Sequence, residues 1–506
     1  MFDAETVLPP SLPMSGRPLK YGVIAAAGKG TRAYPRTSYV PKPLFTFENQ
    51  TLLEKNVYIQ LKVLKVPELY IIVGHLKEQV LSEVERIRRH YPHAKIHTAE
   101  WTGKGLASDI AALGDRIDGD FSVILGDEFY MDMNHQALAK LWSQKKKAEA
   151  MIAVLKSDLL SEIRKNYSVE LEGTRVMKLV EKPDSPPNDL LGLGTYIFSP
   201  EYFKAFRETP PSNKSGVVEL TDVIDLMSHK YEVHAGLVKG RYYNINSLAD
   251  YYSATCRIRS EKFHKFRTTL VVPAFNNERT LPDVLQDFRG RVNEIIVADM
   301  GSSDRTVEIA RKAGAKVIQA TESAGNPHGA QIIYRAFREA SGDILVLATA
   351  DGNFRANDLP KLLEYMKDSD MVVGTRTTRQ LMEQGTNLGP LYRWLNVALG
   401  KLLEILWWDL EPRFTDIGCI YRAIWKDSFL KIAEELRATD RTYLAEMMIG
   451  ILRFHMRCIE IPVSLYRRYG SVRTETTSEQ WQYFFSVLRL IFGRRFTLLG
   501  KLFRVS

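Results

Sequence analysis

Cysteine is scarce in this chain: three in 506 residues, Cys256, Cys419 and Cys458, far apart and without CxxC or His spacing. Neither a disulfide framework nor a zinc site is expected, and a reducing cytosol suits the chain. No uninterrupted apolar stretch reaches membrane-spanning length, and the N-terminus lacks a charged-then-apolar leader. The expectation is therefore a cytoplasmic protein, soluble or peripheral at the inner face of the membrane. Low-complexity segments are also missing, and 45% hydrophobic with 25% charged residues excludes a disordered or collagen-like chain. Neither sign of charge dominates. Lys plus Arg is 69 against 60 Asp plus Glu, a net +9 that suits phosphate-bearing ligands or an anionic membrane. No nucleic-acid partner is expected, and oligomerisation is left open. What the chain has is length, more than one hydrophobic core usually holds, so at least two domains are expected.

Apolar runs at residues 20–27, 69–73, 121–125 and 151–155 read as strands, with helical patterns at 77–90 and 135–146 between them. Such alternation indicates a mostly parallel sheet covered by helices. Residues 169–198 depart from it and read as antiparallel strands added to one side. After a charged helix at 247–266 the pattern restarts, with strands at 269–272, 294–298, 316–319, 343–347 and 371–373. The expected fold is α/β, two Rossmann-like mixed-sheet nucleotide-binding domains, residues 1–262 and 263–506. The halves are not repeats of each other.

The first strand runs into Gly28-Lys29-Gly30-Thr31-Arg32. Glycines there let backbone N–H groups approach a phosphate chain, and Arg32 adds a bidentate cation. Alone this is a weak signal, because a Gly-rich strand exit is often only a turn. Pro35, Thr37, Pro41, Lys42 and Pro43 complete G-x-G-T-R-x-x-P-x-T-x-x-x-P-K-P, with Lys42 stiffened between two prolines. This string resembles the sugar-1-phosphate nucleotidyltransferases, and the resemblance continues in order for about 230 residues. Leu125-Gly126-Asp127 is similar to that family's metal-binding strand end, and Val180-Glu181-Lys182-Pro183 to its EKP motif, where Glu and Lys contact sugar and phosphate. Residues 192–198, with Gly194, match its sugar-facing strand, and residues 219–222 its ELTD helix start. The base loop is weakly recognisable around Gly105. Asn244 falls where the family usually has the Asp of Asp-x-Gly-Thr, a neutral oxygen in place of a charged one.

The resemblance implies an NTP and a sugar 1-phosphate as substrates, an NDP-sugar as product, and Mg²⁺ (or Mn²⁺) as cofactor. Arg32 would stabilise departing pyrophosphate, Lys42 the α-phosphoryl group and Lys182 the attacking phosphate, with Gly28, Gly30, Thr31, Gly105, Gly126, Glu181 and Gly194 lining the substrates. Asp127 and Asn244 would hold the metal. Chemistry of this kind is positioning and charge neutralisation. A cytidylyltransferase acting on an alcohol or amine phosphate shares the loop and remains an alternative.

In the second half, residues 272–278 and Asp299-Met300-Gly301-Ser302-Ser303-Asp304 end successive strands. A strand-end Asp can reach a base or ribose, and Ser303 or Asp304 can cap the following helix. These runs resemble the family 2 glycosyltransferases of GT-A type, and within them the polyprenyl-phosphate (dolichyl-phosphate mannose synthase-like) branch. Gly374-Thr375-Arg376, Asp416-Ile417-Gly418 and the stretch from Pro462 to Arg473 carry that likeness. Two departures stand out. Met300 replaces the second Asp of DDGS, and Thr349-Ala350-Asp351 stands where D-x-D chelates the donor's metal, leaving Asp351 alone.

The resemblance implies donor binding by Asp299, Asp304 and Arg376, and Asp416 as the base or acceptor-positioning group. Arg467, Arg468 and Arg473 would hold a lipid phosphate. A degenerate domain that only binds nucleotide-sugar is the competing reading. Residues 389–410 and 480–502 mix apolar with basic side chains. The second segment combines Trp481, Phe485 and Phe492 with Arg489, Arg494, Arg495 and Lys501, as in an interfacial helix.

Overall fold

The computed structural model describes residues 17–47, 50–213, 215–320, 329–383, 386, 389–467 and 476–502, the side chains of 329, 409 and 496–502 apart. The chain forms two compact units, dividing after Tyr251, within the Leu248–Lys262 helix. Among the described residues no helix is long and apolar enough to cross a membrane. All three cysteines are free, and burial pushes the Cys419 thiol up to about 12.

In the first unit, beside a two-residue pair Thr46–Phe47 and Gln50–Thr51, the strands are β1 Tyr21–Ala26, β2 Glu68–Val73, β3 Lys95–Glu100, β4 Phe121–Leu125, β5 Glu128–Met131, β6 Ala148–Lys156, β7 Tyr167–Glu172, β8 Arg175–Glu181, β9 Leu190–Phe198, β10 Glu232–Val238 and β11 Arg241–Asn244. Nine of them make one sheet, in the order β3-β2-β1-β4-β9-β6-β10-β8-β7. β1 is paired in parallel on both sides, with β2 and β4. Both its faces are buried: Val23 belongs to one apolar cluster, Ile24 and Ala26 to another. That is why it reads as a continuous apolar run instead of an alternation. The chain winds outward from β1 through β2 to β3 and then returns to the other side for β4. The carboxyl ends of β1 and β4 therefore flank a topological switch point, where a ligand crevice opens. The expected antiparallel addition is present as β7, β8 and β9. A two-stranded sheet of β5 and β11 stands apart from the nine.

The second unit repeats the plan with β12 Thr268–Ala274, β13 Glu294–Asp299, β14 Lys316–Gln319, β15 Ile344–Leu347, β16 Met371–Thr375, β17 Arg422–Trp425 and β18 Cys458–Pro462. Their order is β14-β13-β12-β15-β17-β16-β18. β17 is antiparallel to both its neighbours, and the other pairings are parallel. Here too the first strand sits between its successor and a later strand, which opens a second switch point after Ala274 and Leu347.

The two mixed segments near the C-terminus are helices, Pro390–Leu406 and Thr477–Leu502. Leu395, Leu399 and Leu403 bury one stripe of the first helix, and Tyr483, Val487 and Ile491 one stripe of the second. Each fully buried apolar side chain contributes about 1.5–3 kcal/mol. Arg494 does not belong to an exposed basic face. Its guanidinium turns inward and donates to the Glu446 carboxylate at 2.7 Å, because Glu446 is only 3% exposed and a buried carboxylate needs a charged partner.

Candidate active sites

The first site begins where β1 ends. Gly30 has φ 61, and a Cβ there would lie 2.9 Å from Thr37 and 3.0 Å from Lys42, so glycine is required both by conformation and by close packing. Thr37 donates its hydroxyl to the Gly30 carbonyl at 3.0 Å, closing the loop. Arg32 stays exposed. Lys42 is buried, and its ammonium lies 3.5 Å from the Asp127 carboxylate. Burial pushes Lys42 below its ordinary value and the charge of Arg32 adds to this, while Asp127 opposes both.

Asp127 follows β4 through Gly126, whose backbone N–H donates to the Ala25 carbonyl at 3.0 Å. A Cβ at Gly126 would meet that same oxygen at 2.5 Å. The strand ends of β1 and β4 can close on each other only with glycine there. Asn244 is the register partner of Glu128, and Ile245 donates its N–H to the Asp127 carbonyl at 3.0 Å. Asp127 and Asn244, about 120 residues apart in sequence, are thus brought side by side by the β5–β11 pair. They are hard oxygen donors, and Asp127 is 35% exposed, which suits Mg²⁺ or Mn²⁺. Among the described residues no group of three or more His, Cys, Asp or Glu could hold a metal, so such an ion would complete its shell with phosphate oxygens and water.

The sugar-facing side is built from two motifs. Glu181 accepts from the Thr221 hydroxyl at 2.9 Å, which joins the EKP turn to the Leu220–Lys230 helix. It also pairs with Lys182 at 3.0 Å; Lys182 is solvent-exposed and sits at φ 44. β9 carries a bulge between Gly192 and Tyr196. A Cβ at Gly194 would meet Leu125 at 2.5 Å and Glu128 at 2.6 Å. Gly105, at φ 97, precedes the Leu106–Ala111 helix, and Asp109 of that helix fixes the loop by accepting from Thr102 N–H and hydroxyl, both at 2.6 Å.

In the second unit the acidic groups are largely occupied by their own surroundings. Asp299 is buried and accepts from Ser302 N–H at 3.2 Å. Asp304 accepts from Thr306 N–H and Glu278 N–H, both at 3.0 Å, so it ties the first and second loops together and holds the first turn of the Thr306–Lys312 helix. Asp351 accepts from Asn353 N–H at 3.1 Å and from the hydroxyl of Thr349. The residue standing for the first Asp of D-x-D thus bonds to the second.

Arg376 and Asp416 form a bidentate pair at 2.7 and 2.8 Å, both buried. Burial works against the Arg376 charge, yet the Asp416 carboxylate holds the guanidinium well above its ordinary value. Both Asp416 oxygens are engaged by the guanidinium. Arg467 is exposed, its backbone N–H held by Glu383 at 2.6 Å. Arg468 and Arg473 lie outside the described residues.

Residues 21–261 match the nucleotidyl transferase family and residues 269–424 match glycosyl transferase family 2. The UTP–glucose-1-phosphate uridylyltransferase AglF of Haloferax volcanii is 32% identical over 205 residues, 40% of this chain and 82% of its own. The chain belongs to the nucleotidyl transferase family. The low-salt glycan biosynthesis nucleotidyltransferase Agl11 of the same organism is 26% identical over 49% of this chain and 69% of its own. A solved UDP-glucose pyrophosphorylase in complex with UDP-glucose aligns over 49% of this chain and 99% of its own, at 23% identity and a TM-score of 0.43. The chain is thus a transferase in which a nucleotidyl transferase unit precedes residues 269–424, which match glycosyl transferase family 2.

For this nucleotidyl transferase, motif reading passed over Glu128. It is 3% exposed and accepts from Gly194 N–H at 2.8 Å, from the Tyr242 hydroxyl at 2.6 Å and from Tyr130. One carboxylate therefore links β5, β11 and the bulge of β9, and burial pushes it up to about 7. A charged residue inside the apolar run Glu128-Phe129-Tyr130-Met131 was the available signal.

Proposed function

We propose that the chain is a bifunctional enzyme. Its first domain, residues 1–262, makes an NDP-sugar from an NTP and a sugar 1-phosphate and releases pyrophosphate. Its second, residues 263–506, transfers that sugar with inversion to a polyprenyl phosphate at the cytoplasmic face of a membrane. The observation that carries the first step is the buried Lys42 ammonium 3.5 Å from Asp127 at the carboxyl ends of β1 and β4. The relative AglF, a UTP–glucose-1-phosphate uridylyltransferase, makes UTP and glucose 1-phosphate the first pair to try.

An oxygen of the sugar phosphate attacks the α-phosphorus in line, and pyrophosphate leaves. Lys42 neutralises the α-phosphoryl group, Arg32 the departing pyrophosphate, and Lys182 the attacking phosphate. Asp127 and Asn244 would hold a divalent cation, which would supply charge neutralisation to the bound phosphates. The Gly28–Gly30 backbone leaves room for the phosphates, since a Cβ at Gly28 would meet nothing within 4 Å.

In the second unit, Asp299 and Asp304 shape the donor loops and Asp351 faces the donor diphosphate. A lipid phosphate is already largely dianionic at neutral pH, so the Arg376–Asp416 pair and Arg467, Arg468 and Arg473 serve it by charge more than by base catalysis. Membrane delivery is supported by exposed stripes. Trp394, Ala398, Lys401, Ile405 and Trp408 line one face at helical spacing, and Trp481, Phe485, Arg489 and Phe492 another. Trp394 is 70% exposed and Phe485 58%, the pattern of an interfacial surface.

The test is a pyrophosphate-release screen of the full chain, crossing the four NTPs with a panel of sugar 1-phosphates and with phosphocholine. Release with a sugar 1-phosphate is expected; release only with phosphocholine, or none, overturns the first assignment. The NDP-sugar found is then supplied with polyprenyl phosphate in anionic vesicles. Transfer is expected, whereas donor binding without transfer would make the second unit a nucleotide-sugar binding module.

A further inference from the structure

A residue outside every motif connects the Asp127–Asn244 end of the first site to the EKP turn. Asn166 closes the Leu160–Lys165 helix, and its carbonyl accepts from Lys182 N–H at 2.6 Å, steadying the turn where the backbone enters the left-handed region. Its side chain makes two further bonds. Nδ2 donates to the Glu162 carbonyl at 3.0 Å, and Oδ1 accepts from Asn244 Nδ2 at 2.6 Å. A carbonyl can only accept, so Glu162 fixes which way the Asn166 amide is turned. Asn166 must then present its oxygen to residue 244, and residue 244 must bring a donor. Asparagine meets that demand and keeps its own carbonyl oxygen for another partner. Aspartate would set two acceptors against each other with no proton between them, at a cost comparable to an unsatisfied buried polar group.

Resting on the reading of Asp127 and Asn244 as the metal end, we propose that Asn166 is a positioning residue that selects a neutral ligand at position 244. It turns the Asn244 carbonyl oxygen toward a divalent cation shared with Asp127 and disfavours aspartate there. The departure from the usual Asp is then matched to a partner about 80 residues away.

The experiment titrates Mn²⁺ into the full chain, follows the free-ion paramagnetic resonance signal in the presence of each NTP in turn, and records thermal melting in parallel. Asn166→Ala is expected to weaken Mn²⁺ retention roughly 10- to 100-fold, the usual cost of losing a group that orients a ligand. The backbone bond to Lys182 survives that truncation. Asn244→Asp alone is expected to weaken retention despite its added charge. Combined with Asn166→Ser, whose hydroxyl can donate to the new carboxylate, it is expected to recover at least to the wild-type level. Tighter binding by Asn244→Asp alone overturns the proposal. So does an effect of the 166 substitution that is the same whichever residue stands at 244, because a merely structural Asn166 would lower melting without that coupling. Failure of the wild-type protein to retain Mn²⁺ with any of the four NTPs removes the metal reading and this inference together, whereas loss of the coupling between positions 166 and 244 removes this inference alone.

Discussion

The two units share a plan, an open sheet with a crevice at its switch point, and differ in how their charged groups rest. In the first, cations stand ready: Arg32 and Lys182 are exposed, and Lys42 leans on a single carboxylate at 3.5 Å. In the second, the acidic groups are tied to neighbours, Asp416 to Arg376, Asp351 to Thr349, Asp299 and Asp304 to backbone N–H groups. A site that receives two polyanions can keep its cations waiting, since each substrate arrives with the opposite charge. A site that must hold a donor and then release it gains from carboxylates that exchange partners. The first site rests with two exposed cations, and the second with its acidic groups already partnered.

Lys42→Ala tests the sharpest part of that contrast. It removes the ammonium that the proposed mechanism sets against the developing charge, and loss of one such preorganised group typically lowers turnover about 10²–10³-fold. Transfer from supplied NDP-sugar should stay at the wild-type rate. Measuring both activities on one preparation decides it, and joint loss would show that the sites are not independent. Asp351→Ala should give the mirror image, with transfer reduced and pyrophosphate release intact.

Much of this was legible in the sequence, and the reason is local. Fully buried parallel strands read as apolar runs, and the Gly28–Lys42 loop has its glycines and prolines at fixed offsets, so both survive as short-range signals. The strands expected at 121–125 and 316–319 and the helix at 77–90 appear at those bounds. The two separated strands β5 and β11 were not foreseen. Each is four residues long, and neither makes sense without the other. Glu128, Asn166 and Thr349 were missed because their roles are relations to a partner: Glu128 acts on Gly194, Asn166 on Asn244, and Thr349 on an Asp already counted as a ligand. Composition likewise reports that the Thr477–Leu502 helix is basic, not that Arg494 is the arginine that finds a buried carboxylate.

The next largest effect lies in the second unit and concerns stability. Arg376→Ala leaves the buried Asp416 carboxylate without its bidentate partner. Breaking a buried pair from one side typically costs about 3–5 kcal/mol, because the remaining charge is uncompensated. Thermal proteolysis with fragment mapping should show residues 252–506 becoming labile several degrees earlier, with residues 1–251 unchanged. The double variant Arg376→Met with Asp416→Leu should recover most of the loss while abolishing transfer. Recovery of transfer as well would remove the pair from the chemistry.

The smallest effect separates the units by acid. His135 of the first unit is fully buried, its Nε2 facing the Thr195 hydroxyl at 3.4 Å and its ring edge-on to Tyr130. Burial pushes the imidazole down to about 4, against about 6.5 in an unfolded chain. Between those values the unfolded chain binds a proton that the folded one refuses. The His135 contribution to the first unit therefore falls away as pH drops from 6.5 toward 4, at about 1.4 kcal/mol per pH unit and about 3 kcal/mol in all, and grows no further above 6.5. The Glu128 carboxyl, pushed up to about 7 by burial, works in the opposite sense over much of that window, because there the folded chain keeps a proton that the unfolded one gives up. His234 shifts in the same direction, again chiefly from burial. In the second unit His264 and His455 are not buried. Fragment-mapped melting between pH 7 and 4.5 should show residues 1–251 of His135→Gln less weakened by acid than those of the wild type, by about that amount, with residues 252–506 indifferent to the substitution. A pH dependence of residues 1–251 untouched by His135→Gln would mean that other groups carry it and that the histidine of the first unit is an ordinary core residue.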